Sequence, residues 1–496
     1  MSETLKGKAL NSVKWTTLYT IFLAASAPIY KIVLAKLLTP EDFAYIAVLS
    51  VFTGIATLIN NLGLGEAIIQ KDSVSSQQIS TLFFFDIIKS ILCGTILYLS
   101  AGLFSNLFEM DKLGILLKIT AFSTIIFGSS STLRVCLQKK MVFKDLSIIQ
   151  GVKVFLEMGS TIILILSGYD ILGVALGTLI SKIGYTILIL RSFSKKSGAQ
   201  LQKHFSVREI IPFFKFGISV SLKQVLTFIT QQLDIVLIGA LFSNDVLGIY
   251  YFAKDLLQKP QQLMTQSFTQ VLFPMFARLK NDYVRLSQIY NRVSLYISLI
   301  AFPIFIGIAV TAQLFVPLLF GEEWIGSISI IRVFSITSIF QVLSANISTS
   351  LLYSVNRPNI VLYIDLISNC LYFTSLLLLH KLGMVAILVL YSIYIIAKTL
   401  VLQYYVSDSL NRKFREYIFQ FKGIVLSTIL MMISVLLIGG FVCQLSKLIQ
   451  LIVLIFMGGM VYIISVWKFD SKIFKEILSF LKAKINRRYN NEGNIN

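Results

Sequence analysis

The sequence is poor in charge, histidine and cysteine, and each shortage argues against a class of function. Charged residues make up 14% of its 496 positions, against about a quarter in ordinary soluble domains, so a soluble enzyme is not expected. Only two histidines occur, His204 in a basic polar stretch and His380 at the end of an apolar run, and neither has a visible triad partner. Cys93, Cys136, Cys370 and Cys443 stand alone in apolar runs, with no C-x-x-C pair and no histidine at zinc-ligand spacing. No metal site is therefore expected. The phosphate-binding pattern G-x-x-x-x-G-K-[ST] is absent, which argues against ATP-driven pumping by this chain alone, and no cofactor is expected.

What the sequence has instead is apolar length. Hydrophobic residues reach 56%, and period-2 alternation in ten-residue strands is not seen. A bilayer core needs roughly 20 apolar residues per helix. Runs of that kind fall near 14–37, 43–65, 79–104, 114–136, 146–167 and 171–191, then near 213–241, 246–276, 287–319, 327–354, 359–380, 383–406, 418–441 and 446–467. The expected fold is an all-α polytopic membrane protein of about fourteen spans. The first run could be a cleaved signal, with Ala25 and Ala27 as an A-x-A site, but apolar sequence continues past Pro28 to Leu38 and makes a full span.

Charge placement sets the expected orientation. Lys and Arg number 44 against 24 Asp and Glu, a net +20. Most of the basic residues fall in even-numbered connections such as "RVCLQKKMVFKD" and "SLNRKFRE" and in the tails, while odd-numbered connections are as short as "FSNDV" and "HKLG". By the positive-inside rule both termini are cytoplasmic, and most of the excess reflects topology, not binding of nucleic acid.

The chain also repeats. A shift of about 204 residues lays "LAKLLTPEDFAYIA" on "IGALFSNDVLGIYYFA", pairing Thr39 with Ser243 and Ala44 with Gly248. Both copies follow the first span of a six-span half, and six is even, so the halves share orientation as a parallel repeat. The expected division is an N-lobe over 1–191, a cytoplasmic link over 192–212, a C-lobe over 213–406, two extra spans over 407–467, and a basic amphipathic tail over 468–496.

Ionisable residues remain inside the spans after loops are subtracted: Lys31, Lys89, Lys153, Lys182, Lys223, Lys254, Lys259, Arg332 and Lys398, with acids including Glu66, Asp86, Glu157, Asp234, Asp255 and Asp365. Each would cost about 2.5–3.5 kcal/mol at a helix centre, so they are expected to face a polar interior. Asp86 with Lys89, and Lys153 with Glu157, stand at helical spacing and can neutralise each other. Lys31, Lys223 and Lys254 have no acid at that spacing and are candidates for an anionic group such as a phosphate. Asn60, Asn61, Gln231 and Gln232 suit sugar hydroxyls, and Asp234, Asp86 and Asp365 are candidates for a coupling ion. Gly173-x-x-x-Gly177 reads as close helix packing.

In order along the chain, "LAKLLTPEDFAYIAVLSVF", "NNLGLGEAIIQKD", "LQKKMVF", "QQLDIVLIGALFSNDVLGIYYFAKDLLQKP" and "VLFPMFARLKND" resemble the multidrug/oligosaccharidyl-lipid/polysaccharide (MOP) superfamily, and within it the Wzx-type flippases of the WzxC-like group. Two departures occur: Lys36 stands where Arg is expected and Ala44 where Gly is usual. The resemblance implies a MATE-like fold of two six-helix lobes plus two helices. It also implies a non-enzymatic flippase of the bacterial inner membrane, moving undecaprenyl-diphosphate-linked oligosaccharide from the cytoplasmic to the periplasmic leaflet by alternating access. Lys31, Lys223 and Lys254 would then meet the diphosphate. Implied partners are membrane lipid, a polysaccharide polymerase and glycosyltransferases. A cation-coupled multidrug antiporter is the alternative.

Overall fold

In a computed structural model, residues 5–198 and 200–470 are described; the side chains of 5–10, 215–216, 218–220, 222–223, 266–271 and 344–346 are not. Among the described residues every regular element is a helix. The expected amphipathic tail lies almost wholly beyond Asp470, outside the described residues.

The first helices are α1 (Leu5–Leu37), α2 (Pro40–Asn61), α3 (Leu64–Gln70), α4 (Ser76–Leu107), α5 (Leu113–Gly128), α6 (Ser131–Lys139), α7 (Phe143–Leu164), α8 (Asp170–Lys196) and α9 (Val207–Leu241). Next come α10 (Asn244–Arg278), α11 (Tyr283–Leu319), α12 (Ser327–Val342), α13 (Thr349–Ser354), α14 (Pro358–Leu379), α15 (Met384–Ser409), α16 (Phe414–Phe419), α17 (Lys422–Phe441) and α18 (Lys447–Phe469). Among the described residues, eleven helical stretches are long and apolar enough to cross a membrane. One of them, 143–196, contains both α7 and α8, packed against each other. The two remaining apolar runs fall on α10, whose middle carries Lys254, Asp255 and Lys259, and on the sixteen-residue α12.

Local sequence fixes the element ends. At the turn between α1 and α2, Thr39 Oγ1 accepts from the Asp42 amide at 3.3 Å while Asp42 Oδ2 accepts from the Thr39 amide at 3.0 Å, with Pro40 in the first turn. Ser75 and Gln78 form the same reciprocal cap on α4. Pro28 is accommodated inside α1 without ending it. Between α7 and α8 the chain reverses at Ile165–Tyr169, where Gly168 takes φ 89°, a value that favours glycine.

The chain divides into two compact units, 1–251 and 252–496, with the division inside α10. The proposed lobe boundary at 192–212 refers to the sequence repeat, whereas compactness groups α9 with α2 and α3. Gly217 of α9 lies so close to Leu62 and Gly63 that a Cβ there would fall 2.5 Å from the Leu62 carbonyl oxygen. The repeat-paired residues Ala44 and Gly248 also meet: a Cβ on Gly248 would lie 3.1 Å from the Ala44 amide nitrogen. In the first unit an apolar core gathers Leu64 and Ile68 with Leu133, Leu137, Ile189 and Phe213.

Candidate functional site: a polar cavity in the first unit

Helices α1, α2, α5, α7, α8 and α9 enclose a cavity of about 760 Å³. Hydroxyls from Thr53, Thr57, Ser123 and Thr178 and amides from Asn61, Gln224 and Gln231 line it alongside apolar side chains. A smaller chamber of about 280 Å³ shares Thr57 and Asn61 with it and adds Asn60, Arg134, Gln150 and Lys153. Both chambers are built within the first unit.

The cations at this cavity come from three helices. Lys182 on α8 is 7% exposed and donates to Ser123 Oγ at 3.0 Å, with its ammonium 5.7 Å from the Phe127 ring centroid. Lys153 on α7 lies one turn from Glu157 and pairs with its Oε2 at 3.1 Å; both are half-buried. Arg134 comes from α6. Gly177 lets α8 approach α7 closely, since a Cβ there would lie 2.8 Å from the Thr161 amide nitrogen and 2.9 Å from its Cα. That contact brings Thr178 Oγ1 to 3.4 Å from Glu157 Oε1.

The expected site residues are distributed as follows. Asn61 and Gln231 line the main cavity together, and Asn60 lines the smaller chamber, where its Oδ1 accepts from Ser90 Oγ at 3.0 Å. Gln232 is half-buried on α9, and its Oε1 has no hydrogen-bond partner among the described residues. Lys31 is half-buried on α1 and is not among the residues lining either chamber. Lys254 is half-buried in the second unit, and the Lys223 side chain lies outside the described residues.

The three expected coupling acids are engaged elsewhere. Asp86 pairs with Lys89 at 2.6 Å and accepts from the Thr132 amide and hydroxyl at 2.9 and 2.6 Å. Asp234 accepts from the Tyr250 hydroxyl at 2.6 Å. Asp365 pairs with Lys398 at 2.8 Å.

Two cavity residues are not among the expected site residues, although Lys182 is named with the intramembrane cations. Lys182 has Thr178, Leu179, Tyr185 and Thr186 at helical spacing and no acid among them, so the rule that selected Lys31 would also have selected it. Arg134 stands at the end of the expected run 114–136 and opens the quoted connection "RVCLQKKMVFKD", and so counts as topological charge. The chain instead starts α6, whose Leu133, Val135 and Leu137 enter the core.

A family model described as "polysaccharide biosynthesis protein" matches residues 33–329. This chain belongs to that family. Among the family's named relatives, the teichuronic acid biosynthesis protein TuaB of Bacillus subtilis is 25% identical over 72% of this chain and 73% of its own length. The lipopolysaccharide biosynthesis protein WzxC of Escherichia coli is 21% identical over 68% of each. Of solved structures, an inward closed conformation of the lipid II flippase MurJ is similar with a TM-score of 0.74, at 15% identity over 94% of this chain and 100% of that one. An inward-facing MATE family transporter reaches 0.55, at 15% identity over 79% and 95%. The MOP-type fold expected from the sequence is thus the observed one, and the family member is a multi-pass membrane protein.

Proposed function

We propose that this protein is a flippase. It carries a lipid-linked oligosaccharide, as undecaprenyl diphosphate derivative, from the cytoplasmic to the periplasmic leaflet of the bacterial inner membrane by alternating access. The reading rests on one observation above the others: a buried cation, two half-buried ones and neutral hydrogen-bonding groups line two chambers that share Thr57 and Asn61. Ammonium and guanidinium groups suit phosphate oxygens, and amides with hydroxyls suit sugar hydroxyls. The family, the names of TuaB and WzxC, and the fold shared with MurJ support the same reading.

Lys182, Lys153 and Arg134 are the proposed contacts of the diphosphate in these chambers, and Asn60, Asn61, Gln231 and Gln232 the proposed contacts of the sugars, while Lys31, Lys223 and Lys254 stay candidates from the sequence reading. Both termini face the cytoplasm, and glycosyltransferases and a polymerase work before and after the transport step. A multidrug antiporter is the weaker reading, because a cavity for cationic drugs favours acids, whereas this one has Lys182, Lys153 and Arg134 against Glu157.

The test is deletion of the gene under conditional initiation of glycan synthesis, followed by complementation. Loss of surface polymer with accumulation of lipid-linked oligosaccharide, reversed by the wild-type gene, is the expected outcome. Lys182→Gln and Arg134→Gln should restore at most about a tenth of the polymer at normal membrane levels of protein. Full restoration by both variants would refute the site, and normal polymer in the deletion strain would refute the function.

A further inference from the structure

Among the described residues, Glu157 is the one acid lining the main cavity. Its surroundings are dominated by cations and proton donors. On its own helix Lys153 lies at 3.1 Å. From α8, Thr178 donates to its Oε1 at 3.4 Å, and Lys182 lines the same cavity. From α1, Tyr30 lines the same cavity and Tyr19 the smaller chamber. Through α6, Arg134 borders the chamber that Lys153 shares. Lys153 pairs with Glu157 and Lys182 lines the same cavity, so the carboxylate is the counter-ion within the site.

An arriving diphosphate would seek those same two ammonium groups. Two anions sharing them repel each other, and the repulsion falls when the carboxylate takes a proton. We propose that Glu157 and the anionic group of the cargo are alternative partners of Lys153 and Lys182, so that a proton enters on Glu157 as the anion binds. This inference rests on the reading of the cargo as a lipid diphosphate. By linkage, each ligand strengthens the binding of the other by the same factor. The proton binds together with the cargo, so Glu157 sets the charge carried per transport event and is not an antiport site. Asp86, Asp234 and Asp365 hold other partners and border neither chamber.

The test uses the purified full-length protein in detergent and farnesyl diphosphate, a soluble isoprenoid diphosphate, as probe. Calorimetric titration in two buffers of equal pH and different ionisation enthalpy counts the protons taken up. The wild type should take up more protons than Glu157→Gln, by at most about one per site, and its affinity should fall more steeply with pH, by up to about tenfold per unit. The double variant Lys153→Gln/Glu157→Gln, which removes the pair together, should also lack the extra uptake and covers poor folding of the single variant. A purely structural pair would lower the melting temperature and leave proton count and pH slope unchanged, which overturns the inference. Binding without extra uptake overturns it while leaving the flippase reading intact, whereas no binding of the probe to wild type overturns both.

Discussion

At the scale of residues, the decisive question for each intramembrane charge is what it touches. Lys89 donates to Asp86 Oδ1 at 2.6 Å and to the Asn60 carbonyl at 2.5 Å, while Asp86 Oδ2 is satisfied by Thr132. This is a closed, buried knot joining α2, α4 and α6. Removing one partner of a buried pair leaves an uncompensated charge, at a cost of about 3–5 kcal/mol, whereas replacing both by apolar groups can be neutral. Asp86→Ala should therefore lower the melting temperature sharply, and Asp86→Leu/Lys89→Met should recover most of it with transport retained. A well-folded double variant without transport would instead support Asp86 as an ion-coupling residue. The pair itself was legible from its i,i+3 spacing. Thr132 and Asn60 as its partners were not, because they stand 46 and 29 residues away and only packing brings them in.

At the scale of elements, the sequence reading succeeded where the bilayer imposes the rule. The expected apolar runs fall on helical structure, with those at 43–65, 114–136 and 327–354 each divided between two helices, because backbone polar groups in lipid must be satisfied within the segment. It missed breaks such as that between α5 and α6, where the single expected run 114–136 falls on two helices. The Gly173 and Gly177 stripe was also legible as packing. At Gly177 a side chain would meet the Thr161 backbone, so α7 and α8 would have to separate. Gly177→Leu is expected to cost about 1–3 kcal/mol through overpacking and to displace Thr178 from Glu157, losing stability and transport together. Gly159→Ala is the control, since a Cβ there meets nothing within 4 Å. Equal melting temperatures and transport in the two variants would refute the close-packing account.

At the scale of the whole molecule, the pattern of burial is that of a protein whose solvent is lipid. Leu99, Leu378 and Phe441 are 75%, 73% and 86% exposed, while Asp86 and Lys182 are 2% and 7% exposed. A water-soluble fold would reverse those values, because apolar patches of that extent are not left in water. Composition made this legible. The cavity was not, because it depends on which faces of several helices meet. Orientation is the whole-molecule property still carried by charge placement alone, and the chain holds its own probe. Cys443 is exposed in the turn between α17 and α18, an odd-numbered connection that the positive-inside rule places outside. Cys370 is exposed on α14, where lipid keeps a water-soluble reagent away, and Cys93 and Cys136 are buried. With those three replaced by serine or alanine, Cys443 should react with a membrane-impermeant maleimide added to intact spheroplasts. A cysteine placed at Ser206, in the connection before α9, should react only after permeabilisation. The opposite pattern would invert the topology, put the termini in the periplasm and require cargo to enter the cavity from the other leaflet.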